Sequence, residues 1–193
     1  MAQPRVRRPP DEARRLILDA AERLLAEGGV AAVQVRAIAA RVDMTDAGVY
    51  HHFGTRAGLM EALLRHGGRK IRAGVAEVLD SWLTHGTHLG ELVEALAAFY
   101  RQSYGELAVA LHAAGWRDDG SGMLDPVVEA LHTARPAGTP IEDTRLAVAA
   151  LHQALATEPL YGPAFRRSAG VTNDVSITQW WTAHLTRSLG LDL

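Results

Sequence analysis

The sequence contains no cysteine, which excludes disulfides, zinc–thiolate sites and cysteine nucleophiles. It has no apolar run of membrane-spanning length. Its opening segment, MAQPRVRRPPDEARR, lacks the apolar stretch of a secretory signal, so a cytoplasmic protein is the expectation. A large excess of one charge is also missing. The formal net charge is −2, which argues against polyanion binding through bulk charge. There is no GxSxG elbow, no phosphate-cradling glycine loop, no dinucleotide fingerprint and no HExxH. The DDGSG run at 118–122 lacks the ligand spacing of a calcium loop. No enzyme, cofactor or metal is therefore expected.

What is present is enough for a core. The chain has 193 residues, 48 % hydrophobic and 22 % charged, which suits one domain or a small one beside a medium one. The small net charge hides an asymmetry. Residues 1–72 carry 13 Lys and Arg against 8 Asp and Glu, and the remainder carries 7 against 14. A basic front and an acidic rear place any nucleic-acid contact at one end.

Helical spacing recurs throughout. Residues 1–10, with Arg5, Arg7 and Arg8 beside Pro4, Pro9 and Pro10, read as an extended basic arm. A helix starts at Asp11, with Ile17, Ala20, Ala21 and Leu24 on one face, and Gly28-Gly29 stops it. Val35, Ile38, Ala39 and Val42 give a short second helix, and Asp43-Met44 a tight turn. Thr45 is the N-cap of a third helix with Val49, Tyr50 and Phe53 inward. Thr55 caps a fourth, with Leu59, Ala62, Leu63 and His66 on one face. Gly67-Gly68 predicts a kink or a boundary there, before the pattern resumes to about Leu83. Thr87 precedes a helix through Tyr104, and Gly105–Trp116 forms another. Asp125-Pro126 opens a helix to about Ala134. Thr139-Pro140-Ile141-Glu142 predicts a capping box for a helix to about Thr157. Residues 158–173, with Pro159, Gly162, Pro163 and Gly170, read as mostly loop. Asp174 opens the last helix, whose stripe is Ile177, Trp180, Trp181, His184, Leu185 and Ser188. About nine helices and no convincing strand make this an all-α protein.

The second and third helices, joined by a four-residue turn behind a basic arm, form a helix-turn-helix. The outward face of the third offers Thr45, Asp46, Ala47, part of Tyr50, and His51. Asp46 can accept from a cytosine amino group, Thr45 and Ala47 can touch a thymine methyl, and Tyr50 can reach a phosphate. Tyr50 also suits the core of the head, and Phe53 belongs to it.

Over residues 13–65 the sequence resembles the TetR family of bacterial transcriptional regulators. The pieces that carry this are Val35-Arg36-x-Ile38-Ala39, Tyr50-His51-His52-Phe53 and Thr55-Arg56. The resemblance implies a homodimer that binds a near-palindromic operator of double-stranded DNA and is released by a small-molecule effector; a repressor is the expectation. It also implies DNA contacts by Thr45, Ala47, Tyr50 and His51, with Arg36, His52 and Arg56 at phosphates. Asp46 departs from the Lys often found there, and Gln34 from the usual Ser or Thr cap. The implied organisation is an arm over 1–10, a DNA-binding domain over 11–54 and an effector-binding, dimerising domain over 55–193.

In the rear domain, Trp82, Phe99, Tyr100, Tyr104, His112, Trp116 and Met123 are candidates for an effector pocket, with His152 or Arg101 as further polar anchors. Each of these side chains also suits an ordinary core. The family places its interface on the last two long helices, here Ala147, Ala150, Leu151 and Ala154 with Ile177, Trp181 and Leu185. The fourth helix is the expected lever between effector and DNA, with Gly67-Gly68 as a hinge or a local irregularity. Two other classes stay open: a DNA-binding dimer without a ligand, and a helical metal protein or enzyme that uses some of the nine histidines.

Overall fold

Apolar side chains at helical spacing need a shared interior, and here helices supply it from both ends of the chain. The computed structural model describes residues 9–86, 88–117, 120, 122–172 and 175–191. Among them are nine α-helices, one π-helical segment and no strand. None of these helices is long and apolar enough to cross a membrane. The predicted arm residues Arg5, Arg7 and Arg8, and the predicted helix starts Thr87 and Asp174, lie outside the described residues.

Helix α1 (Pro10–Ala32) begins with a proline, which needs no amide partner in the first turn. It buries Ile17, Ala20, Ala21, Leu24 and Leu25. The backbone leaves helical geometry where the glycine pair predicts, at Gly28 and at Gly29 (φ 67°, ψ −166°), a conformation open to glycine alone. One last turn then resumes. Its Val30 N–H donates to Glu106 Oε1 at 3.3 Å, tying the end of α1 to the rear of the molecule.

Helices α2 (Val35–Arg41) and α3 (Asp46–Phe53) meet through a turn that places Asp43 in the left-handed region, φ 52°. Asp tolerates that region, and Met44 N–H closes the turn on Ala39 O at 2.9 Å. Thr45 caps α3 as expected, its hydroxyl accepting from Gly48 N–H at 3.1 Å. Thr55 does the same for α4 (Arg56–His85), accepting from Gly58 N–H at 3.0 Å.

The predicted break at Gly67-Gly68 does not occur; α4 runs through it as one 30-residue helix. Gly67 has a different task. A Cβ there would lie 2.2 Å from Cε1 of Tyr104, so the missing side chain makes room for a ring. At Gly68 the nearest atom to a Cβ is Met123 Sδ, at 3.9 Å.

The helix expected to continue to Tyr104 ends earlier. Helix α5 (Leu89–Phe99) gives way to a π-helical segment, Tyr100–Tyr104, before α6 (Gly105–Ala113). Within the segment Ser103 has φ 66°, unusual for a residue with a side chain. Gly105 lets two backbones touch: a Cβ would sit 2.0 Å from Ala156 O.

Helix α7 (Asp125–Thr133) begins on Asp125 itself, one residue earlier than predicted, with Leu124 as the cap residue. Helix α8 (Ile141–Ser168) departs most from the sequence reading. Its capping box does not form, because Thr139 Oγ1 donates to Pro136 O instead. It also continues eleven residues past Thr157, through Pro159 and Pro163. The Glu158–Arg166 ion pair and the stacked rings of Tyr161 and Phe165, 5.8 Å apart, support this stretch. Gly170 (φ 76°) ends α8, with Gly170 N–H on Arg167 O and Val171 N–H on Arg166 O, a Schellman pair. Ser176 caps α9 (Ile177–Leu189), accepting from Gln179 N–H at 3.3 Å.

One apolar core runs from Ile17 in α1 to Leu191 past α9. Arg135 locks its far end. This buried side chain donates to Leu189 O at 3.1 Å and to Thr144 Oγ1 at 2.8 Å, joining α7, α8 and α9.

Candidate nucleic-acid interface and interior cavity

Packing and capping hold both ends of α3. Val49 is buried beneath α3, and Ile38 and Ala39 beneath α2. Arg14 of α1 lies 4.4 Å over the Phe53 ring and donates to the His52 carbonyl, pinning the end of α3 to α1. Capping by Thr45 fixes the other end. Between them Thr45, Asp46, Ala47 and His51 stand exposed. Tyr50 is 42 % exposed, so it belongs to the outer surface and not to the inward face that the periodicity suggested. Its ring is large, and the core beneath is already filled by Val49. Arg36 and Arg56 are exposed at the flanks. His52 is half-buried beside His51 and Phe53. Burial, then the neighbouring charges of His51 and Arg14, hold its pKa below the usual imidazole range. Gln34 leaves α2 without a side-chain cap, its amide donating to Ala31 O at 3.3 Å.

Behind the head, α4, α5, the π-helical segment, α6 and α8 leave a cavity of about 490 Å³. Six of the candidate pocket residues line it: Phe99, Tyr100, Tyr104, Trp116, Met123 and His152. Trp82 is buried elsewhere in the core, and His112 is exposed on α6; neither borders the cavity. Arg101 points to solvent in an ion pair with Glu94 at 2.5 Å. The lining residues that sequence reasoning missed are Leu64, Arg65, Gly68, Ala108, Arg117, Gly120 and Ala156. Arg117 donates to His112 O at 2.9 Å and to Trp116 O at 2.8 Å, which fixes its guanidinium at the rim.

Two phenols give the wall its polarity. Tyr100 is hydrogen-bonded to His152 Nε2. Burial pushes the Tyr100 pKa well up, so the phenol stays neutral. Tyr104 stacks on Phe99 with ring centroids 4.3 Å apart and donates to Glu22 Oε1 at 2.8 Å. Burial, then the carboxylate of Glu22, raises its pKa too. Because Glu22 lies on α1, one side chain touches both the cavity and the head.

Glu22 is part of a wider cluster. Lys70 Nζ pairs with it, and His66 Nε2 lies 3.4 Å from Asp19 Oδ1 and 3.9 Å from Glu22 Oε2. Among the described residues, Asp19, Glu22 and His66 are the group whose spacing would admit a metal ion. Lys70 already supplies a cation there, and its pair with Glu22 ties α4 to α1, with the half-buried imidazole of His66 alongside. Burial and Lys70 hold His66 below the usual imidazole range, against the opposing pull of Glu22 and Asp19.

Two predicted interface residues are not available to a partner. Leu151 and Leu185 are fully inside the protomer, since the apolar stripes of α8 and α9 turn toward α5 and the core. Ala147, Ala154, Ile177 and Trp181 are half-buried, and Ala150 is exposed. The outward apolar residues are others: on α8 Leu146 (69 % exposed), Tyr161 and Phe165 (64 %), and on α9 Trp180.

Residues 17–63 match the family described as bacterial regulatory proteins, tetR family. Those residues run from the core face of α1 to the first turns of α4. Solved structures agree over nearly the whole chain. The multidrug binding protein EbrR complexed with imidazole is 25 % identical, with a TM-score of 0.55, over 93 % of this chain and 96 % of that one. EbrR complexed with ethidium is 26 % identical, with a TM-score of 0.54, over 91 % and 97 %. A putative TetR-family transcriptional regulator from Mesorhizobium loti is 14 % identical and shares the fold, with a TM-score of 0.55 over 95 % and 96 %. No curated protein sequence matches the chain.

Proposed function

We propose that this chain, whose head is that of the tetR family of bacterial regulatory proteins, is a transcriptional repressor that binds a near-palindromic operator as a homodimer and leaves it when a small molecule fills the rear cavity. The observation that carries the reading is one side chain: Tyr104, in the cavity wall and hydrogen-bonded to Glu22 of the head.

At the operator, α3 enters the major groove. Thr45, Asp46, Ala47 and His51 face base edges, and Tyr50 and the flanking Arg36 and Arg56 meet the backbone. His52, half-buried and anchored through its own carbonyl, orients the end of α3. A palindromic site calls for an isologous dimer. The exposed row Leu146, Ala150, Tyr161 and Phe165 on α8, with Trp180 on α9, is the face we assign to the second copy, in place of Leu151 and Leu185.

Effector release follows from unequal binding to two conformers. A ligand between Phe99, Trp116 and Tyr104 favours the conformer in which the Tyr104 ring has moved. That movement pulls the phenol from Glu22 and disturbs the Asp19–Glu22–His66–Lys70 network that sets α1 on α4. The hinge is thus this junction, with α4 as an unbroken lever. The multidrug binding protein EbrR, similar to this chain over nearly its whole length, is known in complex with imidazole and with ethidium, which supports a ligand-responsive reading.

The test is Tyr50→Ala. Operator affinity, read by fluorescence anisotropy, should fall about tenfold or more while sedimentation still reports a dimer. Unchanged affinity would remove Tyr50 from the interface.

A further inference from the structure

The chemistry of the cavity wall narrows the effector, and this inference rests on the effector reading above. Four aromatic rings, those of Phe99, Tyr100, Tyr104 and Trp116, face the space, with the Met123 thioether beside them. Flat walls with a polarisable sulfur suit a flat, aromatic guest. The volume of about 490 Å³ fits a molecule of two or three rings.

The charged groups at the wall are of one sign. Arg65 and Arg117 line the cavity, and no carboxylate does so among the described residues. Arg65 is partly compensated by Glu61 at 3.1 Å. Arg117 is different: among the described residues its bonds go to main-chain carbonyls, which do not cancel its charge. The nearest acid behind the wall, Glu22, is already engaged by Lys70 and by the Tyr104 phenol. The Tyr100–His152 pair adds no negative charge.

We propose that the effector is a planar aromatic acid, its rings lying among Phe99, Tyr104 and Trp116 and its carboxylate received by Arg117. Arginine suits this role because its planar fork matches a carboxylate with two parallel donors. A planar cation in the same place would meet two guanidinium groups and, among the described residues, no lining carboxylate.

Calorimetric titration of the full-length protein with three probes tests this: 2-naphthoate, its neutral relative 2-naphthamide, and ethidium. The expected order is naphthoate at least tenfold tighter than naphthamide, with ethidium weakest. Arg117→Gln, a change at the rim that leaves the core untouched, should collapse the preference for naphthoate to within about twofold. Ethidium binding more tightly than naphthoate would overturn the aromatic-acid assignment and leave the cavity as the effector site. An unchanged preference in Arg117→Gln would overturn the assignment as well. Gly68→Phe, whose ring takes up part of the cavity, should weaken binding of every probe; binding unchanged in that variant would overturn the effector reading itself, as would no binding of any probe.

Discussion

Replacing each glycine of the 67–68 pair by alanine should have opposite effects. In an ordinary helix interior, Gly→Ala stabilises by about 0.4–1 kcal/mol, because the unfolded chain loses freedom and the helix gains a better former. Gly68 meets that condition. It lies inside α4, and a Cβ there has nothing closer than Met123 Sδ at 3.9 Å. Gly68→Ala should therefore stabilise by about 0.5–1 kcal/mol. Gly67→Ala puts its methyl 2.2 Å from Cε1, 2.5 Å from Cζ and 2.7 Å from Cδ1 of Tyr104. To restore ordinary contact the ring has to retreat by about an ångström in a close-packed interior. Two partners resist: Phe99, stacked at 4.3 Å, and Glu22, which holds the phenol at 2.8 Å. Overpacking of this kind costs about 1–3 kcal/mol, and loss of a hydrogen bond to a carboxylate about 1.5–3 kcal/mol. The helix-propensity gain is smaller than either, so Gly67→Ala should destabilise by about 1–3 kcal/mol net. Urea denaturation followed by circular dichroism gives both values from the shift in midpoint at constant slope. Equal stabilisation by the two substitutions would refute the packing argument and return the pair to the role of a helix irregularity.

Arg135→Ala should destabilise by about 3 kcal/mol, since it removes the buried donor to Leu189 O and Thr144 Oγ1; a loss below about 1 kcal/mol in the same urea assay would show that water replaces it. The pH dependence has a definite sign. His66 and His52 have folded-state pKa values held below the ordinary 6.5, so the unfolded chain binds the protons more readily. Their contribution is complete above about pH 6.5 and is lost as pH falls through the lower folded-state values. The melting temperature should drop from pH 7 to 5, and less steeply in His66→Asn; a rise over that interval would contradict the burial argument. The double variant Leu146→Glu, Trp180→Glu should sediment as a folded monomer, and a persisting dimer would move the interface elsewhere.

How far the sequence revealed all this depended on the range of the interaction. Thr45 and Thr55 were legible as caps because each bonds three residues away, and the left-handed turn at Asp43 follows from a tight connection between two short apolar patterns. Thr139 carried the same signal and failed, because its hydroxyl had a competing acceptor in Pro136 O. Pro159 and Pro163 read as the end of α8, yet the helix holds across them through Glu158–Arg166 and Tyr161–Phe165. In the cavity, large side chains such as Phe99 and Trp116 announced themselves. Gly68, Ala108 and Ala156 did not, since space is made by side chains that are missing. Leu151 and Leu185 read as interface residues because apolar periodicity marks a buried face without saying whether its own chain or a partner covers it. Residues such as Arg36 and Arg56 were placed through the resemblance, and spacing alone would have left them as surface charge.

If this chain reads a specific palindrome through α3, selection of bound sites from a random duplex pool with the purified protein, followed by affinity for the winner at two salt concentrations, will show it. The expected result is one enriched near-palindrome, bound by a dimer, with affinity that falls steeply as salt rises. A pool that stays unenriched after extraction of any co-purified small molecule, with only weak salt-sensitive binding, would contradict it.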